Sequence, residues 1–400
     1  MHIVTSTDIL LPRTEDMGAW SVIACDQFTS EPDYWAAAEE RAAEKPSTLS
    51  LMLPEAWLHT ARAEGADGRI AGTMRRYLAE DVFQTVPDSF IYVERTLPDG
   101  RIRRGLVAAL DLEQYDFTGT QRTSVRSTEG TVEERLPPRV NIRRGAPLEM
   151  PHTLLLMDDR TDSVLSLAEK AKDTLEKVYD FELMLGGGRI AGWRVSGETK
   201  AAVQSALDAL DNAALQREKY GDAAENGKLT FAVGDGNHSL AAAKRFWKEK
   251  RETLPESERL ADPARFALVE IENIHEPSLD FEPIHRVIFD TDTSAFASEL
   301  AAHRTEWEAK DKTLGERVAA AESFCRAYIA VHGGYIDYIH GDDTARALGE
   351  KPNCAAVLLP PVEKSGLFVS VLKNGALPKK SFSMGNARDK RYYLECRKIR

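Results

Sequence analysis

Two β-rich runs, Ser89–Thr96 and Ile102–Leu110, flank the turn sequence Pro98-Asp99-Gly100. Proline presets φ, aspartate bonds its own backbone and glycine tolerates positive φ, so the two runs are expected to fold back as an antiparallel hairpin. Gly186-Gly187-Gly188 marks a second hairpin-like piece, and Gly333-Gly334 is expected to join strands at Ala327–Val331 and Tyr335–Ile339. Hairpins mixed with helices, without regular βαβ alternation, argue for an α+β fold with mixed sheets packed by helices, rather than a doubly wound sheet.

Apolar periodicity predicts helices over Ser163–Val178 and Thr199–Tyr220, one starting near Tyr34, and helical stretches over Glu55–Glu64 and Ile70–Leu78. Further strands are expected at Trp20–Ala24, His152–Met157, Leu229–Val233, Phe266–Ile274 and Leu367–Leu372. Between Arg122 and Pro151 the composition turns to charged residues and proline, which reads as a long irregular segment of the kind that often carries function. With 400 residues the chain forms one large unit or two lobes, residues 1–160 and 161–400.

Lys and Arg number 52 against 64 Asp and Glu, a formal charge of −12, which disfavours a general nucleic-acid coat. No apolar run approaches the roughly 20 residues that span a bilayer, and no signal-like start is present, so a cytoplasmic protein without membrane contact is expected. The four cysteines form no Cys-x-x-Cys pair and the nine histidines no His-Glu-x-x-His, so a dedicated zinc site is not expected.

Chemistry concentrates at Gly234-Asp235-Gly236-Asn237-His238-Ser239, between a predicted strand and a helix bearing Leu240, Ala243 and Trp247 on one face. Ser239 is the expected N-cap. Two glycines allow close backbone approach, and a helix N-terminus offers free N–H groups and a positive dipole end, a combination suited to phosphate or carboxylate. Asp235 would orient a Mg²⁺ ion or accept a proton, and His238 would contact a phosphoryl oxygen or relay a proton. The alternative is a turn whose Asp235 and Asn237 bond only their own backbone. Gly186 to Ala191 satisfies Gly-x-Gly-x-x-Ala, but its continuation reads as a strand, so it is not a cofactor loop. Glu129, Glu134, Arg135, Arg139, Arg143 and Arg144 in the charged segment either clamp phosphate or form a solvated loop. His285-Arg286 is either part of the binding site or a structural pair. After Asn374 positive charge predominates, with Lys379, Lys380, Lys390 and Arg391 among it.

The Gly-Asp-Gly-Asn-His loop and its alanine-rich helix resemble the signature of family 1015 of the domains of unknown function, a bacterial and archaeal group of about this length. Val22-Ile23-Ala24, Thr128-Glu129, Glu134-Arg135, Pro283-Ile284-His285-Arg286 and Pro378-Lys379-Lys380-Ser381 match in the same order and extend the resemblance over nearly the whole chain. The loop is also similar to the phosphate-binding signature of the ParB and sulfiredoxin-like superfamily, which includes free-serine kinases using ADP or ATP. That similarity implies that Asp235, Gly236, Asn237 and His238 hold phosphoryl groups while a carboxylate, Glu129 or else Asp26, activates a hydroxyl. The arginine that normally follows the histidine is Ser239 here, so the phosphate's positive partner must come from Arg135, Arg143, Lys244 or the tail.

The expectation is therefore phosphoryl transfer or phosphate-ester hydrolysis on a small hydroxylated or phosphorylated metabolite, serine or phosphoserine first, with Mg²⁺ and ADP or ATP as cofactors. Asp235, His238 and Glu129 would be catalytic. Gly234, Gly236, Asn237, Ser239, Arg135, Arg143, His285, Arg286 and Lys380 would bind the substrate. The competing expectation is a non-catalytic nucleotide-binding, nucleic-acid-binding or regulatory protein.

Overall fold

The computed structural model describes residues 2–119, 122–131, 133–150 and 152–400. Its main body is an 11-stranded mixed sheet. In chain order the strands are β1 (Val4–Thr5), β2 (Thr7–Pro12), β3 (Phe83–Thr96), β4 (Ile102–Asp111), β5 (Tyr115–Asp116) and β6 (Val125–Ser127). They continue as β7 (Leu154–Met157), β8 (Glu176–Glu182), β9 (Arg189–Val195), β10 (Phe231–Asp235) and β11 (Phe266–Asn273). The order across the sheet is β8-β9-β3-β4-β11-β7-β10-β6-β5, with β1 added to β4 and β2 to β3.

The expected hairpin is β3–β4, with Thr96 opposite Ile102, and the glycine-rich turn joins β8 to β9 with Glu182 opposite Arg189. Parallel pairing enters where β11 meets β7 and where β10 meets β6. One face of the sheet buries Phe90, Tyr92, Leu155, Phe231 and Val233 against helical side chains that include Leu207, Leu240 and Trp247; the other buries Ile91, Val93, Val107 and Leu268 with Trp35 and Tyr392. Alternating inward positions on β3 thus serve two cores, as the period of two requires.

A smaller antiparallel sheet pairs β12 (Phe281–Phe289) with β13 (Tyr335–His340), β14 (Ala355–Val357) and β15 (Phe382–Met384). Four helices matter below: α1 (Leu136–Gly145), α2 (Asn237–Thr253), α3 (Leu314–His332) and α4 (Leu367–Asn374). No helix among the described residues is long and apolar enough to cross a membrane.

Several expectations are corrected. The described residues between 122 and 150 are not irregular throughout, because they hold β6 and α1, whose prolines stand in the first turn where a missing N–H breaks no helical bond. Ala327–Val331 is not a strand but the end of α3, which starts from a Thr313/Glu316 capping box and buries Val318, Ala321, Cys325 and Tyr328 at helical spacing. Its presumed hairpin partner, β13, pairs with β12 instead. Leu367–Leu372 is helical in α4, nearly all-round buried, so its continuous apolar run gave no period to read. The helix expected over Ser163–Val178 ends at Ala171, and Glu176 already begins β8. The Thr199–Tyr220 stretch breaks into Gly197–Leu210 and Ala213–Tyr220, where the Asn212 side chain caps the second helix. Glu55–Glu64 forms two short 3-10 turns, and only Val22–Ile23 of Trp20–Ala24 is extended.

Candidate functional site

β10 delivers Asp235 to the start of α2, and Gly236 makes the turn with φ +76°. Gly236, not Ser239, is the N-cap; Ser239 lies within the first turn of the helix. Both loop glycines are sterically required. A Cβ on Gly236 would stand 2.8 Å from Thr153 Cα, and one on Gly234 would stand 2.6 Å from Met384 Sδ. α1 packs along α2, which sets its arginines beside the same helix end.

Asp235 Oδ2 lies 3.2 Å from Lys390 Nζ, and Oδ1 accepts the Gly236 N–H at 2.8 Å. Burial works against this carboxylate's charge, but Lys390, His152 and the Gly236 N–H outweigh it and hold the pKa below the ordinary value. Glu129, carried on the strand-like bridge to Leu377, behaves oppositely. Burial raises its pKa and Asp235 adds to the effect, while the Ser381 N–H, Lys380 and Lys390 oppose it. His238 is depressed to about 4, first by burial, then by Arg139 and Arg135, with Asp26 opposing and Lys379 adding to the depression. Two carboxyl groups shifted in opposite senses, Asp235 on the loop and Glu129 interacting with it, thus lie at a site with a neutral imidazole, an arrangement frequent at functional sites.

Arg135 is exposed, whereas Arg139 is half-buried and ion-paired with Glu55. Arg143 also faces the site's cavity but is paired at 2.7 Å with Glu149, which additionally holds Arg397 at 2.7 Å and the Leu268 N–H. Lys379 and Lys380 are exposed, and Lys380 has φ +59°. His285 and Arg286 are fully buried in the smaller sheet, where Arg286 Nη2 has no hydrogen-bond partner. His285 Nε2 lies 2.9 Å from Asp342 Oδ1 and Nδ1 accepts the Leu359 N–H, while Arg286 pairs with Glu322 and lies over the Tyr338 ring. Lys244, the other cation considered for the phosphate, is buried and donates to the Leu112 carbonyl, one turn and more beyond the helix start.

Sequence reasoning missed His152 and Tyr393 and did not single out Lys390 within the tail. His152 Nδ1 lies 2.7 Å from Tyr393 OH, and its Nε2 lies 3.3 Å from Ser239 Oγ and 3.8 Å from Asp26 Oδ2. The signal for His152 is slight, a lone histidine beside a proline at the entry to β7. Beside these groups opens a cavity of about 750 Å³ whose walls include Cys25, Met52, Met74, Arg139, Ile142 and Ser239. Among the described residues no group of three His, Cys, Asp or Glu side chains is arranged for a metal ion. Asp235, the carboxylate considered for Mg²⁺, already faces the Lys390 ammonium, so the residues present fit an anion better than a divalent cation.

No curated protein matches the chain. Solved structures that resemble it faintly include the following three. A free serine kinase in complex with AMP has 10% identity, covers 72% of this chain and 90% of its own, and gives a TM-score of 0.35. A conserved hypothetical protein from Pyrococcus furiosus has 9% identity, coverage of 73% and 95%, and a TM-score of 0.34. SbnI with a C-terminal truncation, from Staphylococcus aureus, has 10% identity, coverage of 70% and 82%, and a TM-score of 0.31. At that level of likeness they carry no argument about this chain. The family model described as a protein of unknown function, DUF1015, matches residues 7–398, and the chain belongs to that family.

Proposed function

We propose that this protein binds a phosphate group over the N-terminus of α2 and transfers or hydrolyses it on a small hydroxylated metabolite, with serine or phosphoserine the first candidate and ADP or ATP the nucleotide partner. The observation that carries the reading is the collection of Arg135, Arg139 and Lys379 around a neutral His238, with Lys380 and Lys390 acting on the adjoining Asp235 and Glu129. A positive pocket of this kind on a chain of net charge −12 favours a compact anion.

In this reading Gly234 and Gly236 let the backbone approach the phosphate, the N–H groups of Asn237 and Ser239 point at it, and Arg135 and Lys380 neutralise its charge. Arg143 contributes through Glu149 to the cavity wall rather than to the phosphate. Glu129, with its raised pKa, takes the proton of the attacking hydroxyl, and neutral His238 donates to a phosphoryl oxygen. Asp235 orients Lys390. Catalysis is then positioning and charge stabilisation, which is what phosphoryl transfer asks of a protein.

The test is a thermal-shift panel of ADP, ATP, serine, phosphoserine and inorganic phosphate, each with and without Mg²⁺, since a ligand that binds only the folded state raises its apparent stability. An upward shift with a phosphorylated ligand, reduced in Asp235→Asn and His238→Ala, is expected. Absence of any shift across the panel overturns the reading.

A further inference from the structure

The cavity side of the same loop holds a second arrangement. Ser239 Oγ, on the cavity wall, lies 3.3 Å from His152 Nε2. His152 Nδ1 lies 2.7 Å from Tyr393 OH, and that hydroxyl donates to Cys25 Sγ at 3.3 Å. With Tyr393 donating to sulfur, its oxygen accepts from His152 Nδ1–H, and in that tautomer Nε2 is the unprotonated nitrogen facing the Ser239 hydroxyl. Burial pushes the Tyr393 phenol well above its ordinary pKa and the Cys25 thiol up to about 11, so both stay protonated at physiological pH. The Asp26 carboxylate, 3.8 Å from Nε2, faces the charge that a protonated ring would carry.

Ser239 also stands where an oxyanion would be met. The first helical bond of α2 runs from Leu240 N–H to Gly236 O, so the N–H groups of Asn237, His238 and Ser239 precede the helical ladder. Part of the cavity wall is apolar, with Leu51, Met52, Leu53, Met74, Ile142 and Leu148, a stretch that suits an acyl chain, while Glu55, Glu134, Arg135, Arg139, Arg143 and Glu149 make the rest of the wall charged.

We propose that Ser239 is a nucleophile and His152 its general base, for acyl transfer from esters with an apolar acyl group that fills this cavity. Ser239 Oγ attacks the carbonyl carbon while its proton passes to His152 Nε2, and the carbonyl oxygen takes up negative charge against the helix N–H groups. Collapse breaks the bond to the alcohol, which departs with the proton held by His152. Water then attacks the acyl-serine, giving a proton to His152, and the carboxylic acid leaves as Ser239 regains its hydrogen. Tyr393 is a positioning residue that sets the tautomer of His152. This activity goes beyond the phosphoryl-transfer reading, and neither requires the other.

The experiment is labelling of the full chain with a fluorophosphonate, in which an activated serine displaces fluoride from phosphorus, together with turnover of p-nitrophenyl butyrate. The label is expected on Ser239, located by peptide mass spectrometry, and is lost in Ser239→Ala. His152→Ala should label roughly 100-fold more slowly, within the range for a lost general base, and added imidazole should restore part of the rate, which a purely structural histidine would not allow. His152→Gln, which retains a polar group beside Tyr393, carries the same expectation should the alanine variant fail to fold. Wild-type protein that stays unlabelled, is labelled elsewhere, or fails to hydrolyse the ester overturns the proposal, as does labelling of the His152 variants at the wild-type rate. Phosphate ligands in the thermal-shift panel report on the other reading independently.

Discussion

Lys390 Nζ reaches Asp235 Oδ2 at 3.2 Å, so a segment after β15 completes the loop at the start of α2. The lysine is itself held in place, because buried Arg95 donates to the carbonyls of Arg388, Asp389 and Lys390.

Replacing Lys390 with methionine should raise the Asp235 pKa, since burial would then be opposed mainly by His152 and the Gly236 N–H. A carboxylate held below its unfolded pKa contributes stability above that value, near 3.8, and loses it as pH falls through the folded pKa. The variant should therefore lose stability above about pH 3.8, and its deficit should shrink as pH falls through the folded pKa. Carbon NMR titration of Asp235 in both proteins would settle the matter, and an unchanged midpoint would contradict the ion pair's role.

His238, at about 4, should be neutral throughout the physiological range. Its unfolded value is near 6.5, so the unfolded chain binds the extra proton first as pH drops, and stability from this group is lost progressively from about 6.5 to about 4. Arg139→Gln removes the largest cationic contribution after burial, and the ring's proton NMR midpoint should climb toward 6.5.

Gly236→Ala should be costly. It combines φ +76° with a 2.8 Å approach to the Thr153 backbone, and strain of this kind costs about 1 to 3 kcal/mol before any displacement of the loop. Gly68→Ala is the control. That glycine has open space around it within the helix Ala66–Ala79, and the change should stabilise by about 0.5 to 1 kcal/mol. Urea unfolding of the two variants should give shifts of opposite sign.

Arg103 and Glu272 form a buried pair at 2.9 Å on the sheet face beneath Arg391 and Glu395. Arg103→Met should destabilise by about 3 to 5 kcal/mol, because an uncompensated carboxylate is left inside, whereas Arg103→Met combined with Glu272→Met should cost much less. Burial raises the Glu272 pKa, with Arg103 opposing and Glu270 reinforcing the rise. A raised folded pKa means stability present at low pH and lost as pH increases, so the single variant's deficit should grow between pH 5 and pH 8. Denaturant curves at the two pH values test both parts.

Local chemistry made the hairpin at Pro98-Asp99-Gly100 and the strand-turn-helix at Asp235 readable, because turn residues and periodicity act over a few positions. Leu367–Leu372 and Ala327–Val331 were misread because apolar and β-branched runs look alike until burial on several sides, or a cap such as Thr313, selects the helix. Asp235 and His238 were visible through their motif. His152 and Tyr393 were not, since their pairing depends on a fold that brings positions 152, 239 and 393 together. Ser239 was noticed for a cap it does not make, and its hydroxyl turns instead toward His152.

Leu10 and Cys396 exchange backbone hydrogen bonds at 2.7 and 2.9 Å, and β1 lies against β4 close by. The two ends of the matched region are thus neighbours through one antiparallel bridge, and the order in which the chain threads the sheet is separable from the shape it reaches. A version with positions 10 and 396 bridged by a short linker, and reopened at the exposed Asp99-Gly100 turn, should reach the same architecture by a different folding route, with the once-distant tail now local to the strands it closes.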